Sequence, residues 1–339
     1  MRVLVVGAGA IGGLVAGVLA ESSEAVSVCI VARGAHLAAM RAKGGIMLHL
    51  NHKSNDATKH RRDVFASRLL LAGSLAEAAS HGPYDFVLLT VKAHQLHDVA
   101  KEWVPTLSTS ATCFVTLQNG LPWWFFLTRA ERGAFAGKRI ACLDPERLLE
   151  RTFPVDQIAG GVALPAASMS GPGVIVHETG WRIVLGAGQH RVQEIADALH
   201  AAGFEAVLRD VRAELWTKVL GSAMFNPLSM ITGATLVHMA TEAEDVCLAG
   251  MDEVRAVALS VGHPIPVTND KRLKGARGVG AHKTSMLQDV EAGKTDVELD
   301  ALVTSVIEIA SWSRVPTPTL TLVRRLALLK LSAMKLARL

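Results

Sequence analysis

The sequence predicts an α/β protein in two parts, a doubly wound and largely parallel sheet over residues 1–209 and an all-helical region over 210–339. Three observations lead there. The opening "RVLVVGAGAIGGLVAGVLA" is strand-like, breaks into closely spaced glycines and continues as a helix of small residues. Apolar runs of strand length then alternate with helical patterns, as a parallel sheet with crossover helices requires. From "RDVRAELWTKVLGSAMFNPLSMITG" onward the apolar spacing becomes helical and stays so to the C-terminus.

The first strand is "RVLVV", and Gly7, Gly9 and Gly12 follow it in the order G-x-G-x-x-G. A helix from Ala10 to Glu21 and a second apolar strand, "AVSVCIVA", complete a β-α-β unit. A secretory segment would lead to a small-residue cleavage site instead. This context is the one in which the motif cradles a dinucleotide, and it makes the sheet Rossmann-like. Gly7 permits the tight turn, Gly9 lets the backbone approach a pyrophosphate, and Gly12 lets helix and strand pack closely. Ala10 and Ile11 open the helix, whose free N–H groups and positive dipole end face the phosphates. At the end of the second strand, about twenty residues after the glycines, NAD-binding units place an acid. This chain has Arg33 there, in "VARGAHL". An arginine can clamp a 2′-phosphate, so NADP(H) is the expected cofactor, with a solvent-facing arginine as the alternative.

A short helix is expected over 34–43, then "GGIMLHL" as one arm of a hairpin returning near "DVFASRLLL". "YDFVLLTVKAHQLHDVA" reads as a buried strand running into a helix, with Asp85 at its start, and "ATCFVTLQNG" as a further strand ending in a loop. Segments 158–164, 173–178 and 181–186 read as shorter strands extending the same sheet. Beyond 210, "CLAGMDEVRAVALSVG", "DVELDALVTSVIEIASWS" and "LTLVRRLALLKLSAMKLARL" read as helices. The last is basic and amphipathic, a surface helix against the core rather than a membrane-binding one.

Composition narrows the function. The 339 residues suffice for two domains, and the net charge of +4 is too mild to suggest a nucleic-acid partner. The densest basic patch, "NHKSNDATKHRRD", carries two aspartates and no aromatic residue, as a solvated loop does. No later stretch offers ~20 apolar residues free of charge, so no membrane role is expected. Cys29, Cys113, Cys142 and Cys247 are far apart without a CxxC pair, which suits reduced thiols of a cytoplasmic protein. No HExxH or clustered His/Cys/Asp set is present, so no metal is expected.

A nicotinamide enzyme that reduces a carbonyl needs a group to stabilise and protonate the developing alkoxide. Lys218, flanked by Trp216, Val219 and Leu220, stands in a mostly apolar helix where burial would lower its pKa. Asn226, eight residues on, falls broadly on the same helical face. A lysine whose stem lies on apolar surface with its ammonium in water is the alternative reading.

Seven stretches occur here in one order: "GAGAIG", "ARGAHL", "LLTVKAHQ", "LQNGL", "LWTKVL…NPLS…TG", "SMLQDVEAGKTDVELDAL" and "VPTPT". Together they resemble the ketopantoate reductase (2-dehydropantoate 2-reductase) family over nearly the whole chain. The resemblance implies an N-terminal domain binding NADPH and a C-terminal helical domain closing over the substrate. It places the catalytic lysine on Lys218, the substrate-side acid on Glu298, and substrate or cofactor contacts on Lys92, Asn119, Asn226 and Ser285. Ser222 replaces a further asparagine of the family. The spacing from "SMLQD" to the acid is one residue longer than the family's usual pattern, so Asp296 competes with Glu298, with Asp296 expected as a helix N-cap. "LPWWFFLTRAERGAFAGKRIACLDPERLL" is rich in aromatics and is expected near the cleft mouth. The resemblance implies NADPH-dependent reduction of 2-dehydropantoate to (R)-pantoate for pantothenate synthesis, in a protein able to form a homodimer. A reductase of another branched 2-oxo acid and a non-catalytic NADP sensor are the alternatives.

Overall fold

The computed structural model describes residues 1–51, 62–129, 131, 133–186 and 191–337. Most of the basic stretch 51–63 lies outside the described residues. The strands are β1 (Arg2–Val6), β2 (Ser27–Val31), β3 (Ile46–Leu50), β4 (Arg62–Ala66), β5 (Leu69–Ala72), β6 (Phe86–Leu89), β7 (Cys113–Thr116), β8 (Ile158–Ala163), β9 (Ala166–Gly171), β10 (Val174–Thr179), β11 (Arg182–Gly186) and β12 (Glu205–Leu208). Helices α1 (Ala10–Ser22), α2 (Gly34–Lys43), α3 (Leu75–Ala79), α4 (Leu96–Lys101), α5 (Leu148–Thr152) and α6 (Val192–Ala201) lie among them. Then come α7 (Val211–Thr232), α8 (Leu236–Glu242), α9 (Glu244–Ser260), α10 (Asn269–Val279), α11 (Ser285–Glu291), α12 (Ser305–Ser313) and α13 (Pro318–Leu336).

The main sheet has the order β12-β11-β8-β7-β6-β1-β2-β5. It is parallel from β5 to β8, and β11 runs antiparallel to β8. Because β1 lies between β2 and β6, the direction of winding reverses there, and a crevice opens at the carboxyl ends of those strands. Side-chain alternation assigns each sheet face a core. Val3 and Val5 of β1 join one buried cluster with α1, while Leu4 and Val6 join the other, with the C-terminal helices.

A second sheet, β4-β3-β10-β9, was not anticipated. The hairpin of β3 and β4 forms as expected, but β3 also pairs in parallel with β10. The expectation that 173–178 would extend the main sheet is therefore corrected, although β8 and β11 do extend it. This small sheet lies over α1. A Cβ on Gly13 would stand 3.0 Å from Ile175, and one on Gly17 would stand 2.7 Å from Leu48. The glycine-rich character of α1 follows, since the helix is pressed between two sheets and buried almost all round.

A further expectation needs correction. The stretch "DVELDAL" does not enter a helix at 296, because 294–297 are non-helical, and Asp300–Thr304 winds as a π-helix that leads into α12. Asp296 is thus no N-cap. The aromatic run after Asn119 is divided: Leu121, Pro122 and Trp123 line space beside Asn119 and Glu298, while the next three rings turn into the core. Trp124, Phe125 and Phe126 are essentially fully buried, and Phe125 meets Trp216 of α7 edge-on with ring centroids 6.0 Å apart. The indole of Trp124 donates to Thr116 Oγ1 at 3.1 Å. A run of such large rings stabilises the fold most where it bridges two layers, and this one ties the sheet to the helices. Among the described residues, no helix is long and apolar enough to cross a membrane.

Candidate active site

A cleft of about 1120 Å³ opens at the switch point between β1 and β6 and runs down to α7, α10 and α11. Its upper wall is the glycine turn. Gly7 has φ +111°, a conformation that favours glycine, and a Cβ there would meet the Val91 nitrogen at 2.9 Å. Thr90 donates its hydroxyl to the carbonyls of Val6 and Gly7 and pins the turn. A Cβ on Gly12 would come within hard contact of the Gly7 carbonyl, so α1 lies tight against the strand end. Gly9 differs: no protein atom lies within 4 Å of where its Cβ would stand. Ala10 and Ile11 line the cleft beside it, at the N-terminus of a helix with no side-chain cap. Unoccupied space, free N–H groups and a positive dipole end fit a dinucleotide pyrophosphate.

Arg33 also lines this half. It caps the start of α2, is largely exposed and pairs with the carboxylate of Glu102, a partner the sequence did not reveal.

At the lower end, Lys218 of α7 extends its ammonium to the carbonyl of Ala163, the last residue of β8, at 2.8 Å. Burial pushes its pKa down to about 8; Glu298 opposes the shift, and Arg272 and Lys92 add to it. Ser222, one turn on, donates its hydroxyl to the Lys218 carbonyl at 2.8 Å, so it serves its own helix while lining the cleft. Asn226 and Ser285, the latter opening α11, line the same space.

Glu298 is buried, at 5% exposure, in the turn before the π-helix. One oxygen accepts from Asn119 Nδ2 at 3.1 Å and the other from the Ala93 backbone N–H at 3.3 Å. Gly120 makes this approach possible: it has φ +86°, and a Cβ there would stand 2.4 Å from the Ala301 carbonyl. Lys92 lies 3.5 Å from Glu298 and 3.0 Å from Asp289, which in turn takes Lys294 at 2.9 Å. Burial disfavours the Lys92 charge, yet the two carboxylates outweigh it and its pKa is raised. Asp296 borders the same cleft only at its open rim, its side chain 79% exposed and 3.9 Å from Lys335.

The structure thus brings Lys92, Asn119, Lys218, Ser222, Asn226, Ser285 and Glu298 to one cleft, with the glycine cradle and Arg33 at its other end. Sequence reasoning missed Asp289, Lys294 and Arg272. Asp289 was legible, since it follows Ser285 by one helical turn and so shares its face. Arg272 was not, because "NDKRLKGARG" has the charge density of a solvated helix. Behind the Asn119–Glu298 contact lies a second chamber of about 370 Å³, walled by Leu96, Leu121, Trp123 and Leu215 among others. Among the described residues, no group of three or more His, Cys, Asp or Glu side chains is arranged to hold a metal ion.

A dinucleotide cradle at a switch point, with a lysine of lowered pKa facing the same cleft, defines an oxidoreductase. The chain belongs to the ketopantoate reductase family. The profile "Ketopantoate reductase PanE/ApbA" matches residues 3–132, and "Ketopantoate reductase PanE/ApbA C terminal" matches 210–330. A 2-dehydropantoate 2-reductase of Mesorhizobium japonicum is 38% identical over 338 residues, covering 96% of this chain and 98% of its own. A crystal structure from Ralstonia solanacearum MolK2, described as a candidate ketopantoate reductase, superposes with a TM-score of 0.85 at 32% identity over 98% of both chains. The 2-dehydropantoate 2-reductase of Methylococcus capsulatus does so at 0.74 and 26% identity, over 99% of this chain and 97% of that one.

Proposed function

We propose that this protein reduces 2-dehydropantoate to (R)-pantoate with NADPH, a cytoplasmic step of pantothenate synthesis. The observation that carries the reading is the Lys218 ammonium, held at the cleft wall with its pKa lowered to about 8. At neutral pH it is charged and so able to stabilise a developing alkoxide, yet acidic enough to surrender a proton to it. When bound, the reduced nicotinamide supplies the hydride that the keto carbon takes up. Lys218 polarises and then protonates the carbonyl oxygen, and the Ala163 carbonyl holds the ammonium in place meanwhile. Asn226 and Ser285 carry no side-chain hydrogen bond to another described residue and orient the substrate. Glu298, fixed by Asn119 and the Ala93 N–H, accepts from the substrate hydroxyl. The pyrophosphate rests on the Gly9 turn and the first N–H groups of α1. The 2′-phosphate takes Arg33, whose exposed pairing with Glu102 is weak enough to exchange.

A panel of 2-oxo acids offered with NADPH and with NADH, followed by cofactor absorbance, tests both halves of the reading. The expected result is fastest turnover of 2-dehydropantoate and a marked preference for NADPH. Arg33→Asp should weaken NADPH about 10- to 100-fold, as loss of a charge-assisted contact does, and NADH much less. Another acid turned over faster would overturn the substrate assignment, and equal use of both cofactors would overturn the role of Arg33.

A further inference from the structure

Arg272, on α10, is a cation in the cleft without a counter-ion. It makes no ion pair and no side-chain hydrogen bond with any described residue, and its buried Nε has no partner. The other charges of this end are engaged. Lys92 and Lys294 are held by Asp289 and Glu298, and Lys218 by the Ala163 carbonyl. Burial alone lowers the pKa of Arg272, with no carboxylate near enough to raise it. Its position is also built into the neighbouring helix. A Cβ on Gly221 would stand 2.2 Å from Arg272 Nε, so only a glycine at that point of α7 lets the guanidinium lie against the helix turn that carries Lys218 and Ser222. An unpaired, partly desolvated guanidinium destabilises a fold, and such groups persist where a ligand completes them.

We propose that Arg272 is the anchor for the carboxylate of the substrate, and that this pairing makes the cleft select 2-oxo acids over neutral carbonyl compounds. The proposal rests on the reductase reading for the identity of the carbonyl. The planar fork of an arginine matches a carboxylate with two parallel hydrogen bonds. With the carboxylate on Arg272, the adjacent keto group falls beside Lys218, whose turn Arg272 touches. Ser285, which lines the same cleft, then supplements the charge pair.

The test compares Arg272→Met and Arg272→Lys with the unmodified protein, using the best 2-oxo acid and its neutral 2-oxo amide under saturating NADPH. Arg272→Met should raise KM for the acid about 10- to 100-fold while kcat/KM for the amide changes less than about threefold. Arg272→Lys should fall between, since it keeps the charge and loses the fork. NADPH affinity should be unchanged, and the Met variant should melt no lower than the unmodified protein, having lost an unpaired charge. An unchanged KM for the acid, an equal fall for acid and amide, or a loss confined to NADPH binding each overturns the proposal. Calorimetric binding of oxamate to the NADPH-loaded protein needs no turnover and separates this idea from the reductase reading. If no 2-oxo acid is reduced yet oxamate binds the unmodified protein and not Arg272→Met, the reaction assignment falls and the anchor stands. Equal oxamate binding by both proteins, or by neither, removes the anchor.

Discussion

Of the three protons on the Lys218 ammonium, one is given to the Ala163 carbonyl, which leaves two for the cleft. This arrangement predicts opposite trends for activity and stability. Below pH about 8 the lysine is charged in the folded and the unfolded chain alike. Between about 8 and its ordinary 10.5, the folded protein releases a proton that the unfolded chain retains, so this group's contribution to stability rises with pH. Over the same interval kcat/KM for reduction should fall, because the acid has been lost. Lys218→Ala should lower kcat about 10²- to 10³-fold, flatten that alkaline limb and leave NADPH binding intact. A variant that keeps most of its activity would make Lys218 a packing residue. The carboxylates differ in the same way. Glu298→Gln should cut turnover strongly, since it disturbs the contacts to Asn119, Ala93 and Lys92 together. Asp296→Asn should change neither rate nor melting temperature appreciably, because an exposed pair at 3.9 Å contributes little. The opposite pattern would transfer the role to Asp296. Sequence alone left these two acids in competition because the spacing after "SMLQD" is one residue longer than the family's, and a helix over 296–298 was the argument that favoured Glu298. In the folded chain an irregular segment turns one residue inward and leaves the other in solvent.

At the scale of elements, α1 makes two different demands on its glycines, and substitution should separate them. Gly9→Val puts a side chain into space that the protein leaves free, so the fold should be retained while cofactor titration by fluorescence shows no binding. Gly17→Val drives a side chain into Leu48 and Ala66 of the small sheet and should cost about 1–3 kcal/mol, read as a lowered melting temperature. Equal stability of the two variants would mean that the small sheet does not press on α1. The elements legible from sequence were those that periodicity and motif specify locally: β1, α1, β2, α2, the β3–β4 hairpin and the strand running into "VKAHQ". The small sheet was not legible as a unit. Its halves lie far apart in the chain, and "AASMSG" of β9 has too little apolar alternation to mark a strand. Only tertiary pairing with β10 makes it one.

For the whole molecule, the decisive feature is that one buried cluster runs from Leu4 of β1 through Trp124 and Trp216 to Leu331 of α13. A division near residue 210 separates kinds of secondary structure, but the core crosses it. Thermal unfolding should therefore give one transition by circular dichroism and by tryptophan fluorescence together, even though the chain is long enough for two domains. Two resolved transitions would show that the aromatic run does not couple the sheet to the helices.

That aromatic run also constrains inheritance. Phe125 is fitted to Trp216 and His263, and Phe126 to Trp312, so residues on either side of the boundary must change in concert or keep their shapes. Removing the rings on the far side of the boundary together, as in Trp216→Ala with Trp312→Ala, should lower the melting temperature by more than the same truncation at an exposed site. The partnership of these rings couples the two parts of the chain, so an exchange of halves would disturb the core before it altered the cleft.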